Sequence, residues 1–337
     1  MTYEKPWSSY ETQLDLLVSR GMLVTDRSRA LDYLKRIGYY RLSGYWFSFR
    51  ERSEPCCPLV PGSVEKLRKA RVDRLALDSF KPGTSFQHAV DLYVFDKKLR
   101  LLALDALERI EIALRVDIAH TLGEKDCFAY LNPDLFFPGF SKTLDKNSGL
   151  TKHHEWLTKH AGLIGRSKEE FIRHNRDRYG LPLAIWVVCE IWDFGTLSTL
   201  FAGMRETDQD VIAGKYGISN GRLFASWLRS LNYLRNVCAH HSRLWNRNII
   251  DQPKLPTASD LPWTAPFIGN PHRLARPFLL FCIAQHLLNR INPASSWSTR
   301  FQALLAEFPA QASLSLESMG KPQEDWNATL WREKLVQ

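Results

Sequence analysis

The chain has 337 residues, 45% of them apolar and 24% charged, which allows a sizeable core in one or two domains and excludes wholesale disorder. Its formal charge of +9 favours an anionic partner, nucleic acid before membrane. The longest apolar runs, LPLAIWVVCEIW and FLLFCIAQHLL, are too short to span a bilayer. The start, MTYEKPWSSY, lacks a signal pattern, so a soluble cytoplasmic protein is expected.

In chain order, residues 10–35 predict two short amphipathic helices around a Gly21 turn, followed by the aromatic, basic stretch IGYYRLSGYWFSF. ERSEPCCPLVPG, with three prolines, reads as a loop, and residues 63–79 as a weaker helix. Pro82-Gly83 then opens the clearest element. Thr84 and Gln87 have capping-box spacing, and neither proline nor glycine recurs until Gly123. One helix of about 37 residues, about 55 Å long, is predicted. Its buried side is Val90, Tyr93, Leu99, Leu102, Ala106, Ile110, Ala113 and Leu114, with room for a break near the middle.

Residues 130–152 look irregular, and 153–180 form a basic helical stretch ending in glycine. LPLAIWVVCEIWDFGTLSTLFAGM is apolar on most faces and predicts a helix at the centre of a bundle. The next helix starts at a Ser219-Asn220 cap, with Leu223, Phe224, Trp227, Leu231 and Leu234 as its apolar stripe. Another apolar helix covers about 275–291, and the tail from 293 is less regular. The fold class is all-α, with no convincing strand pattern. The implied division is an N-terminal helical region over 1–62, a core over 63–292 with a basic insertion at about 130–180, and a tail over 293–337. The six cysteines (Cys56, Cys57, Cys127, Cys189, Cys238, Cys282) form no C-x-x-C pair, and three lie in apolar runs as reduced, buried thiols would.

The stretch LRNVCAHHSRLWNR, residues 234–247, sets polar groups inside an apolar helical pattern, where they need partners or a cleft. Asn236 and His240, four apart, share a helix face. Arg235 is offset by about 140°, yet its long side chain can swing toward the imidazole. An arginine fork beside an imidazole suits phosphodiester chemistry: the arginine neutralises phosphate and the histidine moves a proton.

R-N-V-C-A-H resembles the R-x4-6-H motif of HEPN ribonucleases. The longer stretches RNVCAHHSRLWNR, GYYRLSGYWFSF and FKPGTSFQHAVDLYVFDKKLRLLALDALERIEIALR resemble the Abi-like (AbiD/AbiF) abortive-infection family over roughly residues 5–290. The resemblance implies a HEPN-type helical bundle with an N-terminal helical extension. It also implies RNA cleavage without metal or cofactor, inside a homodimer with a composite cleft, in phage defence or as a toxin. Carried over by residue, Arg235 and His240 are the catalytic pair and Asn236 orients phosphate or histidine. Attack by the RNA 2′-hydroxyl would leave a 2′,3′-cyclic phosphate and a 5′-hydroxyl, and DNA would not be cut. A regulatory non-coding RNA or an antitoxin is a further partner at the level of the family.

The long helix repeats the spacing in Arg115-V-D-I-A-His120, either a second half-site or a coincidence, with Glu111 placed to pair with Arg115 along the helix. His241 either assists the chemistry or hydrogen-bonds at the surface. Arg243 and Arg247, near the expected helix end, suit both the helix dipole and phosphate contact. Arg173, His174, Arg176 and Arg178 offer a phosphate-tracking face that also reads as a solvated one. Tyr40 and Arg41 are open as RNA contacts, while the other aromatics around them read as core. His153, His154, Glu155 and His160 resemble metal ligands by type but lack a closed spacing, so they read as a solvated basic helix. The reading from another class is a HEPN-fold RNA-binding or protein-interaction module without catalysis, serving as antitoxin or scaffold.

Overall fold

The computed structural model describes residues 6–55, 74–311, 313–323 and 328–331, and it is all-α apart from one two-stranded sheet. Two compact units divide the chain within one long helix: residues 1–98 with 306–315, and residues 99–305 with 316–337.

In the first unit, helices α1 (Tyr10–Ser19) and α2 (Arg27–Ile37) begin at Ser9 and Asp26, whose side chains accept the N–H groups of Thr12 and Arg29. Gly21 makes the turn between them at φ 92°. Helix α3 (Tyr39–Trp46) carries the aromatic segment and buries Leu42, Tyr45 and Trp46. Strands β1 (Arg50–Arg52) and β2 (Ala76–Phe80) pair antiparallel, with Arg50 opposite Phe80 and Arg52 opposite Ala76. Two expectations are corrected by this sheet, since residues 51 and 52 read as part of a loop and 76–79 as helix. The pairing is held by nonlocal bonds, Ser79 to Glu51 at 2.6 Å and Ser53 N–H to the Leu75 carbonyl at 2.9 Å, in strands too short to show a period. Residues 63–73 of the helix expected over 63–79, and Cys56 and Cys57, lie outside the described residues, while 74 and 75 are not helical.

Helix α4 (Phe86–Gly123) runs unbroken for 38 residues. Its start is one residue later than the Thr84–Gln87 spacing suggests: Ser85 Oγ accepts the His88 N–H, and His88 Nδ1 accepts the Ser85 N–H. Of its predicted inner face, Val90, Leu99, Leu102, Ala106, Ile110 and Leu114 are buried, while Tyr93 and Ala113 are half-buried. Asp96, fully buried in the first unit, accepts a 2.7 Å hydrogen bond from Tyr45.

In the second unit, short turns lead through α5 (Pro138–Ser141) to α6 (Lys152–Arg166) and α7 (Glu170–Tyr179). The apolar segment expected to form one helix is broken into α8 (Ile185–Val188), a 3-10 turn and α9 (Phe194–Gly203). The cause is Asp193, whose carboxylate accepts the Thr196 N–H and hydroxyl and so starts a new helix inside apolar sequence. Next come α10 (Glu206–Lys215), α11 (Gly221–Ala239) capped by Asn220, α12 (Pro271–Leu274), α13 (Pro277–Ile291), α14 (Trp297–Ala306) and α15 (Ala328–Trp331). The tail is therefore more regular than its composition suggests. Trp297 stacks on Phe301, which itself stacks on Phe281, and donates its indole N–H to the Leu102 carbonyl. Among the described residues no helix is long and apolar enough to cross a membrane.

On α6, His154 and Glu155 are exposed as the solvated reading expects, but the other two histidines depart from it. His153 and His160 are buried: His153 Nε2 donates to the Tyr130 carbonyl, and His160 stacks on Trp156 and accepts the Trp192 indole N–H at 3.0 Å. His286 is buried likewise, accepting from Trp263 and donating to the Tyr216 carbonyl. Burial lowers His160 and His286 from an ordinary 6.5 to about 4. Between those values the unfolded chain binds more protons, so stability is full above about 6.5 and falls as pH drops toward 4, by up to about 3 kcal/mol for each histidine. Denaturant titrations at pH 7.5 and 4.5 should show this loss. His160→Gln, which keeps an acceptor but cannot charge, should recover its share, and an unchanged acid loss in that variant would contradict the assignment.

Candidate active site

Helix α11 buries Phe224, Trp227, Leu228, Leu231, Leu234, Val237 and Cys238. The opposite stripe carries Asn232, Arg235, Asn236 and the capping residue His240, at spacings of three, four and eight that bring them round to one face. Asn236 and His240 are exposed and Arg235 is half-buried. The alignment of Asn236 with His240 therefore stands.

The helix ends earlier than expected. His240 is its C-cap, His241 comes next at φ 54°, and Arg243 and Arg247 lie beyond it. The His241 N–H bonds to the Cys238 carbonyl and the Ser242 N–H to the Val237 carbonyl, the paired bonds of a Schellman stop. Glycine usually occupies that left-handed position, so a histidine there carries backbone strain. The segment beyond the stop is anchored from two directions. Arg100 donates to the Ser242 carbonyl at 3.4 Å and Arg276 to the Asn246 carbonyl at 2.6 Å, while Leu244 and Trp245 are buried. Arg247 donates to the Tyr233 hydroxyl at 2.8 Å and packs on its ring, a structural engagement. Burial and then the charge of Arg243 push Arg276 below its ordinary value.

Of the second sequence pair, Arg115 is linked to Arg235 through Glu111, and His120 is not. Arg115 donates to Glu111 at 2.9 Å, as the spacing of four predicts, and also to the Trp192 carbonyl at 3.1 Å and Glu190 at 3.5 Å. Its Nε is buried with no acceptor among the described residues. Burial raises the Glu111 pKa, the cations Arg115 and Arg235 pull it part of the way back, and Asp193 and Glu108 add to the rise. Glu111 thus sits in the field of both motif arginines. His120 is exposed and lines a separate cavity with Trp186 and Glu190.

Asp193 completes the surroundings. Burial works to raise its pKa, but Lys159 at 2.9 Å and the Thr196 donors outweigh it and hold the carboxyl below the usual range. Gly195 leaves room for α11: a Cβ there would lie 3.3 Å from Asn232 Oδ1. Sequence reasoning missed Glu190, Asp193 and Asn232. Only Asn232 carried a local signal, standing one turn before Asn236 on the same stripe.

Arg173 is exposed on α7, and Arg176 is half-buried with Asp177 at 3.5 Å. Tyr40 is 77% exposed and Arg41 is exposed, both in the first unit.

A family model described as Abi-like protein matches residues 32–246, more than half of the chain. No curated protein and no solved structure matches.

The left-handed position gives a test. His241→Gly should be more stable than His241→Val by about 2 kcal/mol in denaturant unfolding, because only glycine adopts that backbone without strain. Equal stabilities would contradict the geometry.

Proposed function

The chain belongs to the Abi-like protein family, and on that premise we propose that it is a metal-independent HEPN-type endoribonuclease acting in phage defence. The observation that supports the reading is that one carboxylate is tied to both motif arginines: Glu111 pairs with Arg115 and lies in the field of Arg235, which shares a polar stripe of α11 with exposed His240.

Each group has a role in that chemistry. Arg235 holds the non-bridging phosphate oxygens and offsets the charge that builds as the phosphorus becomes five-coordinate. The 2′-hydroxyl attacks phosphorus, the bond to the 5′-oxygen breaks, and the products are a 2′,3′-cyclic phosphate and a 5′-hydroxyl. His240, exposed where substrate can reach it, moves a proton between the attacking and leaving oxygens. Asn236 shares its face and orients phosphate or imidazole. Glu111 and Arg115 act through Arg235 as positioning residues. Arg243 with Arg276 offers cations to the neighbouring phosphates of the strand. The reading includes a homodimer, with one such stripe from each copy, and restraint by an antitoxin or a regulatory RNA.

His240→Ala should keep the fold, because the side chain is exposed, and slow RNA cleavage by roughly 10²–10⁴-fold. Arg235→Lys, which keeps charge but loses the fork, should fall between wild type and Arg235→Ala. A His240→Ala protein that cuts as fast as wild type would remove this helix end from the chemistry. If neither protein cuts but both hold RNA, the chain is a binding module.

A further inference from the structure

The last turns of α4 and the short helix α8 line a cavity of about 580 Å³ that includes Val116, Ala119, His120, Glu124, Trp186 and Glu190. Its size falls within the roughly 300–1,000 Å³ of small-molecule sites. Trp186 is 56% exposed, although tryptophan is usually well covered in a folded chain. Gly123 helps to place it: a Cβ there would lie 3.2 Å from Ile185 and 3.5 Å from the indole, so only a bare backbone gives α8 its ordinary clearance at the end of α4. The chemistry proposed above uses neither this indole nor this cavity. The two are nevertheless joined, because Glu190 accepts from Arg115 at 3.5 Å, Arg115 holds Glu111 at 2.9 Å, and Glu111 lies in the field of Arg235.

We propose that this cavity is a nucleobase subsite, taking an unpaired RNA base that flanks the scissile phosphate. Trp186 stacks on the base, and the carboxylates of Glu190 and Glu124 accept hydrogen bonds from its exocyclic amine. The proposal rests on the ribonuclease reading of the adjoining site. A base has apolar faces and a polar edge, and the cavity offers the matching distribution: an indole and the aliphatic Val116 and Ala119, with two carboxylates and an imidazole. An apolar protein side chain filling the same space would cover Glu124 and His120 without giving them partners, which is costly. Carboxylates only accept, so adenine, cytosine and guanine satisfy them through amino groups. Uracil turns carbonyl oxygens toward them and offers a single N–H. The subsite therefore favours an amino-bearing base over uracil.

The test uses the full-length chain and two fluorescein-labelled RNAs, a short oligocytidylate and an oligouridylate of equal length. Values of kcat and KM are measured for wild type, Trp186→Ala and Trp186→Phe, with light scattering to follow the oligomeric state. Wild type should favour the oligocytidylate. Trp186→Ala should raise KM on it by roughly 5- to 150-fold, the loss of one base stacked on an aromatic ring, with kcat little changed. Trp186→Phe, which keeps a ring, should lose much less. An unchanged KM in Trp186→Ala, or equal cutting of both RNAs by wild type, overturns the subsite while leaving the ribonuclease reading intact. If Trp186→Ala shifts the oligomeric state together with activity, the cavity is a protein interface and the proposal falls. A folded wild type that neither cuts nor binds either RNA brings down the ribonuclease reading, and the subsite with it.

Discussion

One carboxylate, Glu111, is bonded to Arg115 and lies in the field of Arg235, two arginines far apart in sequence, and the arrangement of the site depends on it. Burial makes its charge expensive, and Arg115 and Arg235 only partly offset that cost. A half-buried ion of this kind tolerates little drift in its surroundings, because losing either cation would leave it more exposed to the penalty. Arg115 extends the constraint to the Trp192 carbonyl and Glu190. The backbone at Trp192 then leads into Asp193, which caps α9, and into Gly195, where α11 makes its close approach through Asn232. Behind Trp192, its indole N–H is held by the buried ring of His160.

The second constraint is where α11 stops. A left-handed residue at 241 turns the chain so that His240 and His241 stand at an exposed corner instead of continuing the helix. Arg100 and Arg276 then grip the carbonyls of Ser242 and Asn246. Buried Leu244 and Trp245 fix the segment from below, so the corner is held by its flanks although its own side chains lie outside the core. Strain at the tip with anchoring on both sides is what a reactive loop needs to keep its geometry when substrate arrives.

Legibility in the sequence tracked the range of the interactions. The start of α11 at Asn220, the end of α4 at Gly123 and the Glu111–Arg115 pair were readable because each depends on residues within a turn of one another. The end of α11 was not, because its stop lacks the glycine that usually marks one. The split between α8 and α9 was hidden because a single capping aspartate sits within apolar sequence. His153 and His160 looked solvated because the partners that satisfy them, Tyr130 and Trp192, are 23 and 32 residues away. The same distance in sequence concealed Glu190 and Asp193. The motif residues themselves were legible by type and spacing, but only the fold places Arg235 in the field of the carboxylate that Arg115 holds.

The most direct measurement of the central claim is the chemistry of the cut ends. Purified wild-type chain is incubated with RNA in excess EDTA, and the fragments are analysed by mass spectrometry and by end-labelling. A metal-free transesterification predicts cleavage that survives the chelator and leaves 2′,3′-cyclic phosphate and 5′-hydroxyl termini, with no cut at a position where the 2′-hydroxyl is replaced by hydrogen. Fragments with 3′-hydroxyl and 5′-phosphate ends, or cleavage that stops when divalent ions are removed, would contradict it.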